Sequence, residues 1–141
     1  MTYHETTENR RAERDSFDKL EQRYGGIIYQ LPRLAELDGI WVRDKHMIAV
    51  LEHKERDKLY PAGEWLSVHK YVCLIIVAEA LKVQPVFVLR VTEPGKPVRV
   101  FTLDVHKISK RMLPVVAQRQ DKPDEAEPAY CITAKMLTEV T

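Results

Sequence analysis

The chain has 141 residues, of which 45% are hydrophobic and 30% are charged, with 22 Lys and Arg against 21 Asp and Glu. This length and composition are typical of a single globular domain and exclude disordered, collagen-like and disulfide-framework proteins. The formal net charge of +1 excludes the strongly basic proteins that coat nucleic acids, although a local basic patch can still contact phosphates.

The polar N-terminal segment and the short apolar runs of the chain lead us to expect a soluble protein. Residues 1–14 are polar and charged, so we expect no signal peptide, and the longest apolar run, 71–78, is far shorter than the roughly 20 residues of a membrane helix. Cys73 and Cys131 lack the number and spacing of a zinc site or a secreted scaffold, and Cys73 is expected to be a buried apolar residue. We therefore expect a cytoplasmic protein with reduced thiols and no membrane partner, in the host cytoplasm if the chain is phage-encoded.

The first half of the chain predicts one helix and three strands. The Gly25–Gly26 pair is expected to end the helix, because glycine favours helix C-termini. Asp44 and Lys45 are expected to form the turn of a β-hairpin. We predict a flexible tail at residues 1–10, a helix at about 11–23 and a short strand at 27–31. The two hairpin strands are predicted at 37–43 and 46–56.

The second half predicts another helix between two apolar strands. A helix that joins strands 47–54 and 86–91 indicates a βαβ crossover and a mixed sheet. We predict a loop at residues 58–63, a helix at 64–81 and two strands at 85–92 and 98–105. After them we predict a short helix or irregular crossover at 106–113, a polar loop at 118–128 and an edge strand at 130–133. The predicted fold class is α/β, with a mixed four- to five-stranded sheet flanked by helices in a single domain over residues 11–141.

Polar residues occur where the two hairpin strands meet at one edge of the predicted sheet. Asp38 opens the first strand, and Glu52 and Lys54 end the second after an apolar run. Because strand side chains alternate, Glu52 and Lys54 point to one face and His53 to the other. Two carboxylates at a sheet edge suit Mg²⁺, and a nearby lysine can contact a water or a phosphate. Such a set can support metal-assisted hydrolysis of a phosphodiester.

This pattern resembles the PD-(D/E)XK nuclease superfamily, whose fold is restriction-endonuclease-like. The motif reads Leu37-Asp38 and Glu52-His53-Lys54, with 13 residues between the two acids and a helix and a buried strand after the lysine. The resemblance covers about residues 11–92, and Leu37 replaces the usual proline. It implies an Mg-dependent deoxyribonuclease, preferably an endonuclease, similar to small phage-type or Holliday-junction-resolvase-like members.

The resemblance also implies a role for each matching residue. Asp38 and Glu52 would bind Mg²⁺ or Mn²⁺ together with the backbone carbonyl of His53. Lys54 would position or activate the attacking water and stabilise the developing charge. Many members add an acid from the first helix, and Glu13 is the best match because it lies on the core-facing stripe of that helix.

Basic residues flank the proposed site and are candidates for binding the DNA backbone. They are Arg10, Arg11 and Arg14 on the first helix and Lys70 or His69 on the second. Such basic groups more often belong simply to a solvated face, and the spacing of His69 with Leu66, Val72 and Cys73 favours a semi-buried core histidine. Since few residues remain outside the core, we expect cutting directed by branches, nicks or ends, or recognition supplied by a partner or a homodimer.

Two alternatives remain open. The chain can be a nuclease-fold accessory protein that no longer cuts and binds DNA or a protein, although such a descendant would usually lose Lys54 or one acid. It can also be a structural adaptor in which Lys54 forms an ion pair with Glu52 or Asp38 at a solvated edge, without a metal. His53 is expected to be a packed or hydrogen-bonded histidine on the opposite face.

Overall fold

A computed structural model describes residues 7–32, 35–61, 63–108, 112, 114–118 and 126–141. Two short 3-10 turns, at Val105–Lys107 and Ala134–Met136, accompany the longer elements. In chain order, the helices and strands are α1 (Thr7–Tyr24), β1 (Ile27–Gln30), β2 (Gly39–Arg43), β3 (His46–Arg56), β4 (Glu64–Ser67), α2 (Val68–Leu81), β5 (Gln84–Val91), β6 (Arg99–Asp104), β7 (Val115–Gln118), β8 (Ala126–Ile132) and β9 (Thr138–Glu139).

Six strands of the described residues form the central sheet, in the order β1-β2-β3-β5-β6-β9. β3 and β5 are parallel, and the other neighbouring strands are antiparallel. The predicted mixed α/β sheet, the hairpin and the crossover through α2 are therefore confirmed. The sheet has one strand more than expected because the C-terminal segment Thr138–Glu139 pairs with β6.

The two helices cover opposite faces of this sheet. On one face, Phe17 and Leu20 of α1 pack against Leu51 of β3. On the other face, Leu74 of α2 packs against Val50. The side chains of β3 alternate between these two cores, as the period of a strand requires. Neither described helix combines the length and the apolar content needed to cross a membrane.

Several predicted elements differ in the structure. Residues 64–67 form β4 and not the start of a helix, and β4 belongs to a second, three-stranded sheet in the order β4-β8-β7. β8 is the middle strand of that sheet, so the predicted edge strand at 130–133 is wrong in its position. The ends of the predicted loop at 118–128 lie in β7 and β8, and its residues 119–125 lie outside the described residues.

The N-terminal helix and the segment after β6 also differ from expectation. α1 already begins at Thr7, so residues 7–10 of the predicted flexible tail are helical, whereas residues 1–6 lie outside the described part. Of the predicted short helix at 106–113, the structure describes a 3-10 turn at Val105–Lys107, and residues 109–111 and 113 are not described.

The place where β2 leaves β3 positions the candidate site. Their pairing reaches Gly39 and Leu51, and the Asp38 amide adds one hydrogen bond to the Leu51 carbonyl at 2.9 Å. Beyond this point, β3 continues to Arg56 beside β5 alone. A side chain at Gly39 would contact the Phe17 ring at 3.1 Å, so the glycine lets β2 lie close to α1.

An ionic contact from the sheet fixes α1 above this region. Arg90 of β5 is 8% exposed, and its Nη1 donates to Asp15 Oδ2 at 2.7 Å and to Ser16 Oγ at 3.2 Å. The carboxylate of Glu55 lies 3.6 Å from Arg90 Nε. A buried guanidinium needs such partners, because leaving it without them costs several kcal/mol.

The two glycines that follow α1 allow a matched test of the packing between α1 and β2. Both have positive φ, +82° at Gly25 and +79° at Gly26, but a Cβ at Gly26 would lie 2.6 Å from the Val42 carbonyl oxygen, while one at Gly25 would meet nothing within 4 Å. We expect Gly25→Ala to lower the free energy of unfolding by about 1 kcal/mol, the cost of the left-handed backbone. Gly26→Ala should lower it by roughly 1–3 kcal/mol more, because the methyl group overpacks.

Urea unfolding of the two variants beside wild type measures this difference. Equal losses in the two variants would contradict the close approach of β2 to the end of α1.

Candidate active site

A cavity of about 700 Å³ lies beside the open part of β3. It is bordered by the start of α1, the segment before β2, the second half of β3 and the start of α2. Seven of the ten residues that the sequence analysis proposed for the site line it: Arg10, Glu13, Asp38, Glu52, His53, Lys54 and Lys70. The cavity therefore places the two acids and the lysine of the hairpin motif together with residues of α1 and α2, which lie far away in the chain.

Asp38 lies at the edge of β3 that β2 leaves unpaired. Its Oδ2 accepts a hydrogen bond from the His53 amide at 2.6 Å. The amide and the carbonyl of one strand residue point to the same side, so the His53 carbonyl leaves β3 on the side of Asp38. This arrangement is consistent with the predicted ligand set of Asp38, Glu52 and the His53 carbonyl.

The carboxylate of Glu52 is buried, and neighbouring groups balance its negative charge only in part. Its Oε2 has no hydrogen-bond partner among the described residues, and its Oε1 lies 3.8 Å from Lys70 Nζ. Burial, with smaller contributions from the charges of Asp38 and Glu13, raises the pKa of Glu52 to about 8. Because an isolated buried carboxylate is costly, this side chain is well placed to accept a cation.

Glu13 is the third of the proposed site acids in the cavity, which Glu36, Glu55 and Asp57 also line. It is 5% exposed, which confirms that it lies on the core-facing side of α1, and its Oε1 accepts a hydrogen bond from Gln30 Nε2 at 3.1 Å. Its negative charge contributes to the raised pKa of Glu52. Three carboxylates with one unsatisfied buried oxygen are a donor set that fits Mg²⁺ or Mn²⁺, both of which prefer oxygen ligands.

The ammonium group of Lys54 is held by β4. Its Nζ donates to the Trp65 carbonyl at 2.6 Å and lies 2.9 Å from Glu64 Oε1. The same Glu64 oxygen lies 3.1 Å from Arg56 Nε. Burial lowers the pKa of Lys54, and the charge of Arg56 lowers it further, while Glu64 opposes the shift. A lowered pKa and a fixed ammonium position suit a residue that orients a water or a phosphate.

The partner of Lys54 is not the one that the structural alternative expected. That alternative placed Glu52 or Asp38 in an ion pair with Lys54 at a solvated edge, whereas the described residues place Glu64, which is 5% exposed, within salt-bridge distance. Lys54 Nζ is thus fixed by a carboxylate outside the proposed ligand set.

Sequence reasoning missed Glu64 because the segment was predicted as the start of a helix. The strand signal was present in the alternation of residues 64–67, in which Glu64 and Leu66 are buried and Trp65 is exposed. Ser67 was a second signal, since its side chain accepts a hydrogen bond from the Lys70 amide and caps the start of α2.

His53 occupies the opposite face, as expected. Its Nε2 lies 2.9 Å from Ser16 Oγ, and its ring makes an edge contact with Phe17 at a centroid distance of 5.7 Å. Burial lowers the pKa of His53 to about 4, and the charge of Arg90 adds to this shift. The prediction of a packed, hydrogen-bonded side chain is therefore confirmed, and only the backbone of this residue faces the proposed metal ligands.

The structure separates the three arginines proposed for DNA binding. Arg10 lines the cavity, whereas Arg11 is exposed and does not line it. Arg14 is also outside the cavity lining, and it contacts Asp18 at 2.9 Å, Glu21 at 3.0 Å and a carbonyl of β1 at 2.6 Å. Arg14 thus joins α1 to β1, and Arg10 is the one of these three that lines the cavity.

The two candidates on α2 also differ. Lys70 lines the cavity, and its Nζ donates to the Glu36 carbonyl at 3.1 Å. His69 does not line the cavity, and 70% of its side chain is exposed. The interpretation of His69 as a semi-buried core histidine is therefore wrong, because the first turn of α2 presents this side to solvent.

A comparison with solved structures supports the fold assignment. The chain is similar to Hjc, a Holliday junction resolvase from the archaeal hyperthermophile Archaeoglobus fulgidus, with a TM-score of 0.57 and 17% sequence identity. The match covers 92% of this chain and 87% of that chain. No protein-family model and no curated protein matches the sequence. This similarity shows a restriction-endonuclease-like fold, and a shared fold does not by itself establish a shared activity.

The raised pKa of Glu52 predicts a pH dependence of stability in the metal-free protein. Folded Glu52 keeps its proton up to about pH 8, whereas the ordinary value is 4.5. The folded state binds more protons in this window, so the free energy of unfolding falls as pH rises through it. His53, lowered from 6.5 to about 4, acts in the opposite direction only below pH 6.5.

We expect Glu52→Gln to reduce the fall in the free energy of unfolding above pH 6.5. At about pH 9 the substitution should raise this free energy by roughly 1–3 kcal/mol, and the gain is limited to that range because neighbouring carboxylates share the titration. Urea unfolding with a chelator present measures the slope. The exposed Glu79→Gln is the matched control and should keep the wild-type slope. A wild-type slope in Glu52→Gln would show that another group titrates.

Proposed function

We propose that the protein is an Mg²⁺- or Mn²⁺-dependent deoxyribonuclease, preferably an endonuclease. The observation that carries this proposal is the buried, unsatisfied carboxylate of Glu52, which shares one cavity with Asp38, Glu13 and Lys54. Glu52 is buried beside Asp38 and Glu13, whose negative charges oppose its ionisation, so a bound cation would offset a cost that the folded protein otherwise carries.

Asp38, Glu52 and the His53 carbonyl are the proposed ligands of the cation, with Glu13 as a further acid nearby. Such an ion supplies Lewis-acid polarisation of a phosphate and stabilisation of developing negative charge. Asp38 is oriented for this role by the hydrogen bond to the His53 amide. Protonated Glu52 must lose its proton before it can bind a cation, so the apparent metal affinity should rise toward pH 8.

The basic residues of the cavity are proposed to handle the phosphate and the water. Lys54 orients the attacking water and faces the developing charge, and Glu64 fixes the position of its ammonium group. Lys70 and Arg10 contact the backbone of the DNA, because both line the cavity beside the carboxylates. Glu64 is a positioning residue in this scheme, since it acts through Lys54.

Cutting is proposed to be directed by DNA structure more than by base sequence. Two features support this: the similarity of fold to a Holliday junction resolvase, and the small number of elements outside the two sheets and two helices of the described residues. Recognition would then come from branched, nicked or end-containing DNA, with a homodimer or a partner protein contributing contacts. An accessory protein that binds DNA without cutting is the competing outcome of the cleavage test.

Removal of single site residues tests the proposed chemistry. Asp38→Asn and Glu52→Gln should each lower the single-turnover cleavage rate by about 100-fold or more, since several kcal/mol of charge stabilisation are lost. Lys54→Ala should reduce the rate more than the metal affinity, which calorimetry with Mg²⁺ and Mn²⁺ measures with and without DNA. The substrates are branched, nicked and linear duplexes of one sequence.

Each change has a control of the same type at an exposed position: Asp44→Asn in the hairpin turn for Asp38→Asn, Glu79→Gln on α2 for Glu52→Gln, and Lys96→Ala for Lys54→Ala. These control variants should cleave DNA at the wild-type rate. Cleavage that persists in all three site variants would show that the site assignment is wrong. DNA binding without cleavage by the wild-type protein would favour the accessory role.

A double-mutant cycle separates a positioning role of Glu64 from a direct one. We expect Glu64→Gln to lower the cleavage rate about 10-fold, because Lys54 and Arg56 lose the carboxylate that they share. If Glu64 acts through Lys54, the double variant Lys54→Ala/Glu64→Gln should cut as slowly as Lys54→Ala alone. Additive losses in single-turnover kinetics would contradict this role.

A further inference from the structure

Three side chains of different ligand types meet at the border of the cavity, which Glu36 lines and the other two do not. Glu36 lies two residues before Asp38, and His69 and Cys73 lie one turn apart on α2. Glu36 Oε2 is 3.3 Å from His69 Nε2, and Cys73 Sγ is 3.8 Å from the same nitrogen. All three ligand atoms lie within 4.8 Å of one another. This cluster uses none of the carboxylates proposed to hold Mg²⁺.

Two of the three distances within this cluster match those of a tetrahedral zinc site. Zinc binds sulfur at about 2.3 Å, imidazole nitrogen at about 2.0–2.1 Å and carboxylate oxygen at about 2.0–2.2 Å. Tetrahedral angles at these lengths place the nitrogen and the oxygen roughly 3.4 Å apart, and the sulfur and the nitrogen roughly 3.6 Å apart. The distances from His69 to Glu36 and to Cys73, 3.3 Å and 3.8 Å, differ from these by only tenths of an ångström.

The donor chemistry also separates this cluster from the Glu52 site. A thiolate and an imidazole favour borderline-soft ions such as Zn²⁺ and Co²⁺, whereas Mg²⁺ prefers oxygen. The side chains of Glu36 and His69 are 67% and 70% exposed, so an ion can enter without any rearrangement of the core. Cys73 was expected to be a buried apolar residue, but it is only partly buried, with its sulfur directed at His69.

We propose that Glu36, His69 and Cys73 form a second metal site that binds a thiophilic divalent cation of the Zn²⁺ class. Three protein ligands leave a fourth position for water, as in open zinc sites. The i, i+4 spacing of His69 and Cys73 on one face of α2 preorganises two ligands, and Glu36 adds the third from the segment before β2.

Metal at this cluster would fasten two parts of the candidate active site to each other. Lys70 follows His69, and its Nζ donates to the Glu36 carbonyl while lying 3.8 Å from Glu52 Oε1. The ion would therefore tie α2 to the segment that carries Asp38. This consequence for catalysis rests on the proposed nuclease function, whereas the binding of metal does not.

Cobalt absorption tests the site in the tag-free 141-residue chain without DNA. We expect Co²⁺ to give a thiolate-to-metal charge-transfer band at one ion per chain, to be displaced by Zn²⁺ and to resist excess Mg²⁺. Cys73→Ser should abolish the band, whereas Cys131→Ser, the matched thiol control, should keep it. Glu36→Gln and His69→Gln should weaken Co²⁺ binding roughly 10- to 100-fold or more, since even outer-shell partners of metal ligands contribute that much.

The proposal is overturned by any of three results: no charge-transfer band in the wild type, a band that persists in Cys73→Ser, or wild-type affinity in both Glu36→Gln and His69→Gln. Circular dichroism checks the folding of each variant. If Cys73→Ser does not fold, Glu36→Gln still tests the site, because Glu36 is exposed and its substitution leaves the core unchanged. Glu52→Gln should lose cleavage and keep the cobalt band. Failure of the proposed nuclease function therefore remains distinguishable from failure of the second metal site.

Discussion

The buried carboxylate of Glu52 is the constraint on which the rest of the site depends. β3 is apolar up to Leu51 and packs against helices on both faces, so a charge at the next position is costly without a counter-charge or a cation. β2 begins only at Gly39, opposite Leu51, which leaves the second half of β3 beside a cavity. Asp38 then bonds to the His53 amide at the vacated edge, so a second carboxylate adjoins Glu52.

Alternation along β3 gives neighbouring residues different surroundings. Glu52 and Lys54 face α2 and line the cavity, while His53 between them faces α1 and hydrogen-bonds to Ser16. Arg90 of β5 reaches the same serine, so the contacts that anchor α1 lie directly behind the proposed ligands. Support of this kind limits the movement of β3, and a site needs such rigidity to hold its groups in a productive geometry.

The second sheet positions both the partner of Lys54 and the start of α2. Pairing of β4 with β8 holds Glu64 in a buried position, where it faces Lys54 and Arg56. The start of α2, capped by Ser67 at the end of β4, then carries Lys70 to Glu52 and His69 to Glu36. The proposed oxygen-ligand site and the proposed sulfur-containing site therefore lie on either side of Lys70, and they are expected to select different cations.

The sequence by itself determined the hairpin, the crossover through α2 and the motif of Asp38, Glu52 and Lys54, because the periods of strands and helices and the turn residues are local properties. It also placed Glu13 on the buried side of α1. Only the tertiary structure decided that Glu64 holds Lys54 and that Glu36 meets His69 and Cys73. Those contacts depend on strand pairings and loop paths between segments far apart in the chain, for which the local pattern carries no signal.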